Sequence, residues 1–476
     1  MIGMTLVLGI DIGTQSVKTG LLDIDSGELR HVAVRPYSGG ALQPPGELWN
    51  AALEAMAETV DKNEAGSGAI AAAGICGQMH GTVLIGAGGE ALGDVINWQD
   101  ERCNKPAPEF QGLCAIERME QLIPADIAND LGVDRMASGF QAATLFHIMH
   151  TNPDLFQTVH HALTPTDYIR RQLLGGGDFV TDPTNAFGTG VFDVRRNCWS
   201  EEAMNALGLP AVLFPEVRPT DSTAGEVCAF VARRTGLMQG TPVCVGGGDN
   251  QMSMIGCGAS QPGGPACISI GTSSQICALT PSYSRIEGID TRSFPGGCFA
   301  LVYAGLSGGK CYTWLRNMLL ADLAAVRATT MQASELFKHL DSLAAIAPSG
   351  CDGLRFEPTL RGTRRNPALR GAFTGISEKN FFIGFRARAV MEGVARELRQ
   401  AFDAMNIAGV SGLAGAGNGL VRSQLWRDIT ARCFGAPVRV TDFENAVFGA
   451  AAVAAQAVGL RKFKDIPVRY AFEANP

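Results

Sequence analysis

Residues 10–16 read Ile-Asp-Ile-Gly-Thr-Gln-Ser, and residues 268–274 read Ile-Ser-Ile-Gly-Thr-Ser-Ser. In each, an apolar run feeds Gly-Thr and then small hydroxyl residues, with extended-looking chain beyond. Gly beside small hydroxyl residues, set between two strands, predicts a tight turn whose N–H and O–H groups converge on an anion. Two such turns, one per half, predict a duplicated fold gripping one polyphosphate from both sides. The copies differ where Ser269 replaces Asp11. One turn therefore keeps a carboxylate beside the phosphates, the pattern of a metal-assisted phosphoryl-transfer site rather than a generic anion pocket.

Outward from the first phrase, Leu6–Ile12 and residues 17–23 read as strands joined at Gly13-Thr14, with residues 29–34 a third. Pro44-Pro45 opens a helix in which Leu48, Trp49, Ala52, Leu53, Met56 and Val60 recur at three and four. Residues 70–76 form a short apolar strand ending at Gly77-Gln78-Met79-His80. Three strands, a helix and a strand are not a Rossmann start. The order resembles the ribonuclease H-like unit of actin, hexokinase and sugar kinases. Further on, residues 142–150, 386–405 and 423–434 read as helices, and residues 240–245 as a strand. Residues 413–420 form a Gly-rich strand-to-helix turn, and residues 447–458 a small-residue helix suited to close packing. The expected fold is α/β with two ribonuclease H-like domains and a cleft between them. The boundary is expected near Gly246, giving domains 1–245 and 246–476, with the triple glycine as a hinge.

Length supports two domains, since 476 residues exceed one typical core. The net charge of −7, without a basic block, argues against nucleic acid and anionic membrane as partners. Thirteen cysteines without a CxxC pair read as reduced thiols, and the seven histidines offer no HxxxH or HExxH zinc pattern. No basic segment precedes Asp11 and no apolar run is long enough to span a bilayer, so a soluble, cytoplasmic protein is expected. A homodimer is compatible with the sequence.

Phosphoryl transfer needs donors for the polyphosphate, Mg²⁺ to neutralise charge, and a base for the attacking hydroxyl. The first turn offers Gly13, Thr14 and Ser16 as donors, with Lys18 close behind. Asp11 is a candidate for holding hydrated Mg²⁺, an ion that keeps waters and uses few carboxylates. Asp249 follows three glycines at the end of an apolar strand and is the candidate general base; the alternative is an N-cap for a helix near Gln251. Gly77-Gln78-Met79-His80-Gly81 and Asn97-Trp98-Gln99-Asp100 mix polar and large apolar groups, as a sugar site requires. Gly308-Gly309 and Gly415-x-Gly417-x-Gly419 admit a purine ring against bare backbone, or equally close helix–strand packing.

Taken in order, these segments resemble the FGGY carbohydrate kinases over nearly the whole chain, from Gly9-Ile10-Asp11-Ile12-Gly13-Thr14 to Gly449-Ala450-Ala451. The set includes Asp167-Tyr168, residues 188–194, Gly247-Gly248-Asp249-Asn250, and residues 370–376. The resemblance implies two actin-like domains closing on ATP, Mg²⁺ and a sugar or polyol. It implies Thr14 and Lys18 at the ATP phosphates, Asp11 near the metal, and Gly271 and Thr272 in a second phosphate loop. Gly309 and Thr313 would lie on the nucleotide side and Gly417 and Asn418 in the adenosine motif. Asp249 would be catalytic, with Met79, His80, Asp100 and Asn250 at the sugar. Residues 98–103, 137–146 and 165–168 resemble sedoheptulokinase more than xylulokinase, which makes a seven-carbon ketose the leading acceptor and a pentulose the alternative. Residues 358–364 fit the family pattern loosely, and Ala-Gly-Ala-Gly-Asn at 414–418 departs from its usual Gly-Gly-Gly-Ala form. An actin-like nucleotide switch is the alternative of another class; it would need the phosphate turns but not Asp249.

Overall fold

The computed structural model of the chain describes residues 5–64, 66–325, 332–363 and 366–476. At its centre are two seven-stranded sheets, each built around one Gly-Thr hairpin. In the first, Leu6–Ile12 pairs antiparallel with Ser16–Asp23 and parallel with Ile70–Gly77. In the second, Ala266–Ile270 pairs antiparallel with Ser274–Thr280 and parallel with Leu413–Ala416. Glu28–Pro36 extends the first hairpin, as Cys298–Gly305 and Asp290–Phe294 extend the second. The repeated order about each hairpin defines two ribonuclease H-like α/β domains with a cleft between them.

The strand Leu6–Ile12 is buried at every position. Covering on both faces explains why its sequence is an unbroken apolar run rather than an alternating one. Each of Leu6, Leu8, Ile10 and Ile12 contributes about 1.5–3 kcal/mol by burial. The helix Pro45–Asp61 covers one face with Leu48, Leu53, Met56 and Val60, and Pro45 suits its first turn, where no N–H partner is needed.

The seam between the domains is made by the helices Asp249–Gly256 and Asn445–Ala457, which pack on each other and, for the second, on the first sheet. The approach is close. A Cβ on Gly74 would lie 1.9 Å from the Ala450 carbonyl oxygen, and one on Gly449 would lie 2.0 Å from that of Met252. This is the role expected of the small-residue helix at 447–458. Gly247–Gly248, in the expected hinge, are buried and paired with Cys76 and Gly77. The first sheet thus runs on past the expected boundary at 245/246.

A separate core around Phe110, Phe140, Phe146, Phe187 and Phe192 fills the middle of the first domain and includes Met79. It fixes the Met79-His80 segment at the cleft. The helix expected over residues 142–150 is present as Gln141–Thr151. All thirteen cysteines are free. Among the described residues, no helix is long and apolar enough to cross a membrane. Arg364, the last residue of the loosely matching segment 358–364, lies outside the described residues.

Candidate active site

A cavity of about 1020 Å³ opens between the domains. The first domain lines it with Asp11, Thr14, Lys18, Met79, His80 and Trp98. The helix Asp249–Gly256 contributes Asp249 and Asn250, and the second sheet and its flanking turns contribute Gln275, Arg292, Gly417 and Asn418.

Strand register explains the phosphate end. Asp11 and Lys18 are directly opposite across the first hairpin. Ser269 and Gln275 hold the corresponding places in the second. A charged pair in one copy is therefore a neutral pair in the other. Lys18 Nζ lies 2.7 Å from Glu444 Oε2, at the start of the seam helix. Although burial works against its charge, this hydrogen bond raises Lys18 above its usual value. The Thr14 hydroxyl receives Trp98 Nε1–H at 3.0 Å, which leaves its own proton to donate.

Asp249 is the first residue of the helix Asp249–Gly256, and Gly248 takes the cap position. The N-cap position is therefore held by Gly248, while the Asp249 carboxylate accepts the Asn250 N–H within the first turn. Burial raises Asp249 to about 6, against the lowering effects of the Asn250 N–H and the Arg292 charge. Burial also raises Asp11 to about 7, and the negative charge of Asp249 adds to the effect. Two carboxylates, one on the strand Leu6–Ile12 and one opening the helix Asp249–Gly256, thus line a single cleft.

That surplus negative charge fits a divalent cation. Among the described residues no group of three or more His, Cys, Asp or Glu side chains is arranged to hold a metal. The fit is to an ion that keeps its waters and uses one or two carboxylates, as Mg²⁺ does.

At the other end, Asn250 Nδ2–H donates to Gln275 Oε1 at 3.1 Å, and Arg292 Nη1–H donates to Asn250 Oδ1 at 3.3 Å. His80 lies against Phe140 with ring centroids 4.6 Å apart, and its Nδ1 is 3.3 Å from the Gly188 carbonyl oxygen. The mixture of donors, acceptors and apolar faces suits a polyhydroxylated molecule.

Seven expected residues do not line the cavity: Gly13, Ser16, Asp100, Gly271, Thr272, Gly309 and Thr313. The reasons are local. Gly13 N–H closes its own turn on the Ser16 carbonyl at 3.1 Å, and Gly271 N–H does the same on Ser273 at 3.0 Å. Gly309 N–H and Lys310 N–H donate to the carbonyls of Gly271 and Thr272, docking the second turn on the helix Gly309–Ala325 that carries Thr313. Asp100 is gripped by Arg102 through Nε at 2.7 Å and Nη2 at 3.0 Å. Burial opposes ionisation of Asp100, but the Arg102 hydrogen bond outweighs it and holds the carboxyl below its usual value.

Sequence reasoning missed Gln275, Arg292 and Glu444. Gln275 lies opposite Ser269 as Lys18 lies opposite Asp11, but the second turn is shorter than the first. Aligning the two phrases residue by residue therefore sets Ile276 against Lys18 and conceals Gln275. Arg292 carried one weak signal, the Asp290-x-Arg292 spacing that sets two charges on one face of a strand. Glu444 is defined by a contact to a residue 426 positions away, which no local pattern reveals.

Two ribonuclease H-like domains with a cleft between them place the protein in the actin- and hexokinase-like class. The family model for the N-terminal domain of the FGGY family of carbohydrate kinases matches residues 6–256, and the model for its C-terminal domain matches residues 266–458. The chain belongs to the FGGY family of carbohydrate kinases and is an ATP-dependent sugar kinase. The xylulose kinase of Escherichia coli (strain K12) is 29% identical over 446 residues, covering 90% of this chain and 84% of that protein. The sedoheptulokinase of Mus musculus is 25% identical over 492 aligned positions, covering 96% and 98%. A gluconate kinase from Lactobacillus acidophilus superposes with a TM-score of 0.86 at 22% identity, over 99% of this chain and 94% of that one.

Proposed function

We propose that the protein transfers the γ-phosphoryl group of ATP to a primary hydroxyl of a ketose, with Asp249 as the general base. One observation carries this reading: Asp249 and Asp11 line a common cleft, and the charge of Asp249 adds to the proton affinity of Asp11. A carboxylate held near 6 is mostly ionised at neutral pH yet basic enough to accept an alcohol proton in the transition state.

In this reading residues 1–245 supply the first phosphate turn and the sugar face. Residues 246–476 supply Asp249, the second turn and the adenosine side, with Gly417 and Asn418 at the adenosine. Asp11 would hold Mg²⁺ through water, and that ion, when bound, neutralises phosphate charge. Asp249 takes the proton from the acceptor hydroxyl. Lys18 and the Thr14 hydroxyl meet the polyphosphate. Met79, His80 and Asn250 orient the acceptor, and closure of the cleft excludes water that would otherwise hydrolyse ATP. The free thiols and the need for ATP go with a cytoplasmic location.

Of the two acceptors, xylulose is favoured by the higher identity to a xylulose kinase. Sedoheptulose is the second reading, supported by residues 98–103, 137–146 and 165–168. ADP release measured over a ketose and polyol panel tests the proposal. Sugar-dependent release with a ketose preference is expected; no sugar dependence on any member would count against it.

A further inference from the structure

We propose that Arg292 is a specificity-determining residue that donates to an oxygen of a neutral acceptor, and that its pairing with Asp290 disfavours sugar acids. The inference rests on the sugar-kinase reading above and narrows its substrate class.

Arg292 lies on the buried strand Asp290–Phe294 at the edge of the second sheet, and its side chain is only 7% exposed yet lines the cleft. One side of the guanidinium is fixed, with Nη2 donating to Asp290 Oδ2 at 3.0 Å and the group lying over the Phe187 ring at 5.1 Å. The cleft side is under-used. Among the described residues, Nη1 has only Asn250 Oδ1 at 3.3 Å and the weak acceptor Met79 Sδ at 3.9 Å, and Nε has no hydrogen-bond partner. Buried donors normally find partners, and a guanidinium carries five N–H groups in a rigid fork. Nη1, held between Met79 and Asn250 by one long and one weak contact, is therefore the donor assigned to an acceptor oxygen.

Charge decides which acceptor. Asp290 already matches the positive charge of Arg292 across a 3.0 Å pair. Lys18 is engaged by Glu444 at the phosphate end. Among the described residues, the Lys and Arg side chains lining the cleft, Lys18 and Arg292, each already face a carboxylate, so a carboxylate on the acceptor would meet Asp249 with no further Lys or Arg to offset the repulsion. Neutral hydroxyl and carbonyl oxygens carry no such penalty.

The test compares wild type, Arg292→Met, Asp290→Asn and the Asp290→Asn/Arg292→Met double variant, with xylulose as the neutral probe and gluconate as the acid probe. Because Arg292→Met removes the guanidinium facing the buried Asp290 carboxylate, the double variant reads the lost donor without an uncompensated charge. It is expected to raise the KM for xylulose about ten- to a hundredfold, the range of a lost charge-assisted hydrogen bond, with a smaller change in kcat and the KM for ATP unchanged. Asp290→Asn leaves Arg292 unmatched and is expected to tighten gluconate binding relative to xylulose, read by calorimetry. Wild-type xylulose turnover with an unchanged KM in the double variant would overturn the role of Arg292 alone. Wild type that binds gluconate tightly and turns over no ketose would overturn this inference and the proposed function together.

Discussion

Lys18 and Glu444 join the phosphate hairpin to the seam helix: ammonium and carboxylate stand 2.7 Å apart, across 426 positions of chain. The relationship is a competition. Lys18 is the cation expected at the ATP phosphates, so Glu444 and the nucleotide contend for one ammonium. Both side chains are partly exposed, at 30% and 39%, and pairs of this kind contribute about 0–1 kcal/mol to stability.

Glu444→Gln is therefore expected to lower the KM for ATP several-fold while changing stability by less than about 1 kcal/mol. Lys18→Met is expected to raise that KM about tenfold or more, because a charge-assisted contact to phosphate is lost. Steady-state kinetics with ATP varied, beside thermal melts, check both signs.

The pH dependence follows from Asp249. A base works only when ionised, so activity falls as pH drops through about 6, where burial has raised this carboxyl. An acid limb near 4, the ordinary range of an aspartate, would contradict the environment described for it.

The same burial predicts a stability effect of opposite sense. Folded-state values of about 6 for Asp249 and about 7 for Asp11 exceed the ordinary 3.8, so the folded protein binds these protons more tightly than the unfolded chain. Their contribution is largest below pH 4 and is lost as pH rises toward 7. Every tenfold gain in proton affinity on folding corresponds to about 1.4 kcal/mol. Asp249→Asn should thus be as stable as wild type or up to about 3 kcal/mol more stable at pH 8, with no such gain at pH 4. Denaturant titrations of the nucleotide-free protein at both pH values test this.

Close packing at the seam makes another prediction. Gly74→Ala would set a methyl 1.9 Å from the Ala450 carbonyl, a backbone atom that cannot swing aside. Strain of this kind costs about 1–3 kcal/mol or more, and the urea midpoint should fall accordingly. The change lies away from the expected phosphate and sugar groups, so surviving protein should keep its KM values better than its melting temperature.

Much of the fold was legible because local chemistry fixes it. An apolar, β-branched run stopped by Gly13-Thr14 has little alternative to a strand and turn, and the observed strand is Leu6–Ile12 as read. The duplication was legible because the phrase recurs at 268–274. The site was legible in part. Asp11, Lys18, Asp249 and Asn250 sit at strand or helix ends, and the topology carries those ends to one cleft. The turn glycines were harder, since sequence cannot say whether the N–H of Gly13 or Gly271 points outward or closes its own turn. Asp100 is held by a neighbour two residues away, Arg102. Arg292, Gln275 and Glu444 depend on register and long-range packing, which no window of sequence contains.

The central claim is that one carboxylate, Asp249, activates the acceptor alcohol across a cleft that holds ATP. The most direct measurement is ketose-dependent ADP release by Asp249→Asn, with ATP binding followed in parallel. The account predicts retained ATP affinity and turnover reduced about a hundredfold or more. Near-normal turnover in that variant would contradict it.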